Sequence, residues 1–456
     1  MEKPANFRVF YSPLPLAPGY QSKTGLCTGS KTVLPLQSAI GLVALIGLAW
    51  LVRDRSRKVI WRPVIVGVAL TFVLAVLLLK VPVLSHSLSV LNDAMNVLTD
   101  ATHAGSSFVF GYLGGAALPF EATGSGAPFI FAFQALPIIL VVGALSALLF
   151  HWNIIQPVVR GFAWVLRRTI GLDGPAGVSS AMNIFVGMVE SPLVVRPYLR
   201  RETRAGLFVI MTAGMASSSG SVLVLYATIL SNAIPNALGQ LIAASIISAP
   251  AAVAVSFLMM PPDEEELKQN TDPSAVAMEG RRVGENAMAA IARGTLEGIQ
   301  LWLNVMCMIL VLVALVYMVN AFINFVTPDI GGAPLTMQRI FGWIMAPMAW
   351  LLGIPWNEAV TAGGLLGTKT VLNEVIAYDE MIRLPEGTIS QRTEMIMLYA
   401  LCGFANFASL GTMIGGLTAM VPERSNDIAA LAPKTLISGT LATCIAGAIV
   451  GILTWS

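Results

Sequence analysis

Hydrophobic residues in this chain come in long unbroken runs, not in the alternation of a half-buried strand or the single stripe of a surface helix. The first two are "VLPLQSAIGLVALIGLAWLV", residues 33–52, and "VIVGVALTFVLAVLLLKV", residues 64–81. Further runs cover about 128–150, 205–229, 238–260, 299–326, 393–418 and 434–455. A helix needs about 20 apolar residues to cross the hydrocarbon core of a bilayer, so the pattern predicts an all-α polytopic membrane protein with about eight transmembrane helices. Residues 86–112 read differently: His86, Asp93, Asp100 and His103 fall among apolar positions, which predicts a helix lying along the membrane interface.

Two apolar regions, about 172–197 and 353–378, are cut by glycines, and each carries one acid: Glu190 in "NIFVGMVESPLVV" and Glu374 in "GTKTVLNEVIAY". A charge at the centre of a membrane helix costs about 2.5–3.5 kcal/mol on insertion scales. Irregular backbone at that depth is tolerated only where protein or a water-filled cavity satisfies it. Both regions therefore read as re-entrant helical hairpins facing a cavity. Downstream of each acid lies an interrupted span rich in small polar residues, "TAGMASSSGSVLVLYA" (212–227) and "LCGFANFASLGTMIGG" (401–416). Interrupted segments at matching places in two halves predict inverted repeats with a site where they meet near the midplane. Small residues also line close helix contacts in membranes, and for Lys369 a counter-ion role and a direct role both stand open.

Composition narrows the function. Of 456 residues 56% are hydrophobic and 11% charged, against about 25% charged in soluble domains. Net charge is +2 with no dense basic block, which argues against nucleic acid as a partner. Cys307, Cys402 and Cys444 lie in apolar runs and Cys27 stands alone near the amino terminus, a spacing that makes neither a zinc site nor a disulfide framework. Without a nucleophile–base pair, metal cluster or phosphate loop, an enzyme is not expected. The short loop bearing Arg53, Arg55, Arg57, Lys58 and Arg62 is expected to stay in the cytoplasm, which sends the amino terminus to the periplasmic or extracellular face. Arg196, Arg200, Arg201 and Arg204 read as a solvated cytoplasmic turn. Residues 1–32 read as a flexible tail without a signal-peptide core, and "PPDEEELKQNTDPSAVAMEGRRVGEN", residues 261–286, as a polar linker.

"GTKTVLNEVIAY" resembles the signature of the concentrative nucleoside transporter family, Gly-x-Lys-x-x-x-Asn-Glu followed by apolar residues and an aromatic. "NIFVGMVESPLVVRPYL", "MTAGMASSSGSV" and "LCGFANFASLG" resemble the family's other site segments in the same order, so the similarity covers roughly residues 33–456. The resemblance implies a homotrimer in the cell (inner) membrane, in which a scaffold carries a transport domain that moves as an elevator and imports nucleosides down a cation gradient. It implies scaffold and interfacial helices over 33–165, the first hairpin and transport helices over 166–260, and a linker over 261–298. A scaffold helix and connection follow over 299–345, then the second hairpin with transport helices over 346–456.

By the same resemblance Asn373, Glu374, Phe404, Asn406 and Ser409 would hold the ribose, while Glu190 and Val222 would face the base. Ribose presents vicinal hydroxyls, and a carboxylate can accept a charge-assisted hydrogen bond from each, worth about 1.5–3 kcal/mol apiece. Met188 and Val189 stand where the family commonly has Gln and then Thr or Ser. The departure opens an alternative, a cation-coupled symporter of a different small polar metabolite. Sodium is the expected coupling ion, the resemblance implying a cage of Asn183, the Val186 carbonyl, Ser217 and the Ser218 carbonyl. Proton coupling through Glu190 or Glu374 is the alternative, and no other cofactor is expected.

Overall fold

The structure, a computed structural model, describes residues 33–120, 130–172, 174–231, 233–262, 286–328 and 334–454. The expected tail, with Cys27, and residues 263–285 of the expected linker lie outside the described residues, while the end of that linker, 287–298, is helical instead. Among those described, all regular structure is helical. The chain opens with α1 (Val33–Leu51), α2 (Trp61–Lys80) and α3 (Pro82–Phe110), the last covering the stretch expected at the interface. After a short turn at Phe131–Gln134 come α4 (Ile138–His151) and α5 (Ile155–Ile170).

Two copies of one sequence of elements follow. The first is a hairpin, α6 (Gly174–Met182) and α7 (Glu190–Val194), then a broken crossing, α8 (Arg204–Ala216) and α9 (Gly220–Leu230), then a long helix, α10 (Ala237–Met259). Between the copies stand α11 (Ala287–Val326) and α12 (Met337–Leu351). The second has hairpin α13 (Trp356–Val371) and α14 (Glu374–Ile382), broken crossing α15 (Gln391–Leu401) and α16 (Phe407–Met420), and long helix α17 (Ser425–Leu453).

Polar contacts at the ends of α17 fix the orientation of the two copies. Arg204, at the start of α8, lies 4.0 Å from Asp427 at the start of α17. Arg392, at the start of α15, instead donates to the carbonyl of Thr454, just past the end of α17. The two broken crossings therefore run in opposite directions, as inverted repeats require. The hairpins likewise enter from opposite faces. Ser390, after the second hairpin, donates to Glu358 at its beginning (3.0 Å), so both its ends lie on the Arg392 face. The first hairpin returns toward Arg204. On that Arg204 face Asp54 N–H donates to the Met259 carbonyl (2.7 Å), which places the basic loop after α1 against the end of α10.

Seven helical stretches among the described residues are long and apolar enough to span a bilayer. The eighth expected crossing, 393–418, is divided into α15 and α16 by a break at residues 402–406. Its apolar half, Phe407–Met420, is too short to span alone. Two helices stand where no apolar run was expected, α5 and α12, and the second hairpin runs on to Ile382.

The core sits in the repeats: 83%, 89% and 78% of the most apolar windows of Arg204–Leu230, Ala237–Met259 and Pro422–Leu453 are buried, against 6% in α11. The expected scaffold block 33–165 is divided by the packing. α1 lies on α17 and α2 on α10, whereas α4 packs on α11. That last seam is built on small residues, Gly143 facing Gly294 and Gly298, which let backbones approach closely.

Candidate functional site

The breaks of the two crossings touch. α8 ends at Ala216 and α9 starts at Gly220; α15 ends at Leu401 and α16 starts at Phe407. The Phe404 N–H donates to the Ser217 carbonyl (3.4 Å), satisfying one backbone group that each interruption releases. Gly403 makes the approach possible, because a Cβ there would lie 2.9 Å from the Ala216 carbonyl oxygen.

On the second repeat the carboxylate is buried and each of its oxygens has one protein donor. Asn373 is extended (φ −167°) and its side chain accepts from the Ile376 N–H, capping α14. Glu374 follows in the first turn, where the helix dipole favours an anion. Asn406 caps α16 through Oδ1, accepting from the Ser409 N–H (2.7 Å), and its Nδ2 donates to Glu374 Oε2 (2.7 Å). The two contacts together fix which way the amide points. Glu374 Oε1 accepts from the Tyr226 hydroxyl, so one donor from each repeat holds the carboxylate. Glu374 is 3% exposed and Tyr226 is wholly enclosed, with its ring centroid 5.2 Å from that of Tyr378. Phe404 and Ser409 are half-buried beside the same break. Sequence reasoning passed over Tyr226, although a lone tyrosine in an apolar span needs a partner for its hydroxyl.

Lys369, on α13, makes no hydrogen bond to the carboxylate. Its Nζ donates to the Ala400 carbonyl (2.8 Å) and Thr443 Oγ1 (3.2 Å). Ala400 is next to the last residue of α15, so the ammonium caps the carbonyl end of that half-helix and complements its dipole.

On the first repeat the hairpin tip, residues 183–189, joins the break at 217–219. Asn183 Nδ2 donates to the Ala213 carbonyl (2.6 Å) and to Ser217 Oγ, and Asn183 Oδ1 accepts from Ser191 Oγ (3.2 Å). The Gly220 N–H donates to the Phe185 carbonyl (3.0 Å), docking the tip on the start of α9. Val186 lies in the same tip. Ser218 Oγ is buried and has no hydrogen-bond partner. An unpaired buried hydroxyl costs about 1–3 kcal/mol. At the same break Asn183 and Ser217 are in direct contact, and the chemistry of their oxygens, hard and neutral, suits a small monovalent cation.

A cavity of about 980 Å³ reaches this tip from the Arg204 face. Glu190 lines it together with Gly187, Ser219 and Ser221, opposite Arg293 and Glu297 on α11. A Cβ at Gly187 would lie 2.1 Å from Glu190 Oε2, so the glycine leaves room for the carboxylate to fold back over the tip. Met188 and Val189 do not line the cavity. Met188 packs on α8 over Gly214 and Val189 on α16 over Gly416. Val222 is buried in α9. Nor does Glu374 line the cavity: Tyr226, which holds it, is six residues along α9 from Gly220 at the cavity wall, about 9 Å at the helical rise. The structure thus brings Asn373, Glu374 and Asn406 together, and Asn183 with Ser217, while Glu190 faces separate, open space.

Three family models match the chain: "Na+ dependent nucleoside transporter N-terminus" over residues 40–113, "Nucleoside recognition" over 132–233 and "Na+ dependent nucleoside transporter C-terminus" over 240–451. An uncharacterized transporter of Haemophilus influenzae is 37% identical over 422 residues, 91% of this chain and 97% of that one. Human solute carrier family 28 member 3 is 34% identical over 427 residues, which span 91% of this chain and 59% of the longer human one. Among solved structures, CNTnw in an inward-facing substrate-bound state aligns with a TM-score of 0.82 at 34% identity, covering 92% of this chain and 98% of that one.

Proposed function

The chain belongs to the family of Na+ dependent nucleoside transporters, and from that membership we propose that it is a secondary active symporter importing nucleosides down a cation gradient. The observation that carries the reading is Glu374, a buried carboxylate held by one donor from each inverted repeat beside two broken helices. Glu374 would accept from the vicinal ribose hydroxyls. Asn373, Asn406 and Ser409 would complete the sugar's hydrogen bonds, and Phe404 would pack on its apolar face. Glu190, on the cavity wall, would read the base. With Met188 and Val189 turned to α8 and α16 and Val222 buried in α9, Glu190 is the expected base-facing residue that lines the cavity, and family membership favours a nucleoside over another polar metabolite.

Sodium is the proposed coupling ion, held by Asn183, Ser217 and the carbonyls of Val186 and Ser218, a reading supported by the contact of Asn183 with Ser217 and by the docking of the hairpin tip on this break. Each such cation carried inward supplies about 2.3 kcal/mol per 100 mV of membrane potential, enough for about fiftyfold accumulation. The basic loop marks the Arg204 face as cytoplasmic, so the amino terminus would face outward in a cell (inner) membrane, and the cavity would be that of an inward-facing carrier.

The packing favours a transport domain that includes α1 and α2 with both repeats, moving as an elevator against a frame that includes α4 and α11. The exposed apolar residues of α11, Phe322 and Phe325 among them, suit contacts in a homotrimer. The deciding experiment measures uridine and adenosine uptake into proteoliposomes with sodium and pH gradients varied separately. Uptake that follows the inward sodium gradient at constant pH supports the proposal. Uptake that follows pH alone transfers the coupling to protons, and uptake indifferent to both overturns symport.

A further inference from the structure

Tyr226 stands between two places that have so far been described separately. Its hydroxyl donates to Glu374 Oε1, and its helix, α9, begins at Gly220, directly after the break that carries Ser217 and Ser218. The start of α9 is pinned to the first hairpin by the Gly220 N–H on the Phe185 carbonyl. From there a continuous helix of eleven residues leads to the carboxylate. The tyrosine is fully enclosed and its ring rests on Tyr378, so the hydroxyl cannot swing away without moving α9. Whatever orders or loosens the break at 217–219 therefore shifts the donor that aims Glu374.

We propose that Tyr226 is the positioning residue that couples occupancy of the cation site to sugar binding, by fixing the Glu374 carboxylate from α9. The inference rests on the symport reading above and deepens it. With the break ordered, the Tyr226 hydroxyl holds Oε1 and the Asn406 amide holds Oε2, leaving the remaining lone pairs of both oxygens directed at the sugar. With the break loose, the donor from α9 shifts and the carboxylate loses its aim. Reciprocity of binding free energies requires the nucleoside to tighten the cation site by the same factor.

The test compares wild type with Tyr226→Phe, which removes one oxygen and keeps the ring, by measuring KM for uridine in proteoliposomes at low and saturating sodium. Wild type is expected to show about a tenfold fall in KM as sodium saturates, within the usual range of coupling between sites. In Y226F the KM at saturating sodium rises about tenfold, as for a lost charge-assisted hydrogen bond. The sodium-dependent ratio collapses below about threefold. Tyr378→Phe is the control, because it removes a neighbouring buried hydroxyl that donates to the Leu398 carbonyl (2.8 Å) and does not touch Glu374.

An unchanged sodium-dependent ratio in Y226F overturns the proposal, as does an equal collapse in Y378F. If Y226F does not fold, 3-fluorotyrosine at position 226 keeps the ring and strengthens the donor. It should lower KM and steepen its sodium dependence, and no change in either overturns the proposal. Wild type without sodium-dependent uptake is a different failure, that of the symport reading itself.

Discussion

The two repeats carry the same parts in opposite states. In the first, the acid lines a cavity of about 980 Å³, and at the adjoining helix break the Ser218 hydroxyl is buried without a partner. In the second, the acid is enclosed and both its oxygens are occupied. The first half keeps open space and an unsatisfied oxygen. The finished half has donors from both repeats that preorganise a carboxylate before any guest arrives. Preorganisation lowers the ordering cost of binding, and a site made by inverted repeats places that cost in the fold instead of the encounter.

The comparison can be broken where the two halves differ. The largest effect is expected at the closed half: Glu374→Gln keeps the size and removes the charge from both sugar contacts, so nucleoside uptake should fall about 100-fold or more, read as the initial rate in proteoliposomes. The open half should respond more mildly and in a different quantity. Ser217→Ala deletes a hydroxyl of the proposed sodium cage and keeps every backbone carbonyl, so half-saturation by sodium should weaken about tenfold. The smallest effect is expected at Met188→Gln. Because that side chain faces Gly214 of α8 and not the cavity, KM values for uridine and adenosine should each change less than about threefold, a difference under 1 kcal/mol. A large gain in base discrimination would show that the tip turns over during transport.

Much of this was legible in the chain because its strongest signals are local. Apolar runs long enough to span gave the crossings, and glycine with a single acid marked both hairpins. The small polar runs at 212–227 and 401–416 located both breaks. Other features required the third dimension. α5, "IQPVVRGFAWVLRRTI", spaces its buried Val159, Ala163, Leu166 and Ile170 along one face between arginines, so its average hydropathy hides a helix that periodicity reveals. Lys369 was ambiguous because its partners, Ala400 and Thr443, are 31 and 74 residues away. The Tyr226–Glu374 contact joins residues 148 apart, a pairing that no single-sequence period encodes. For the same reason the packing of α1 on α17 and of α2 on α10 emerged only from the folded chain.

The central claim is that the buried carboxylate of the second repeat reads vicinal hydroxyls. Its most direct test is calorimetric titration of the purified protein, in saturating sodium, with uridine and with 2′,3′-dideoxyuridine. Loss of two charge-assisted hydrogen bonds predicts binding of the dideoxy compound weaker by about 100-fold or more; equal affinity for the two would contradict the account.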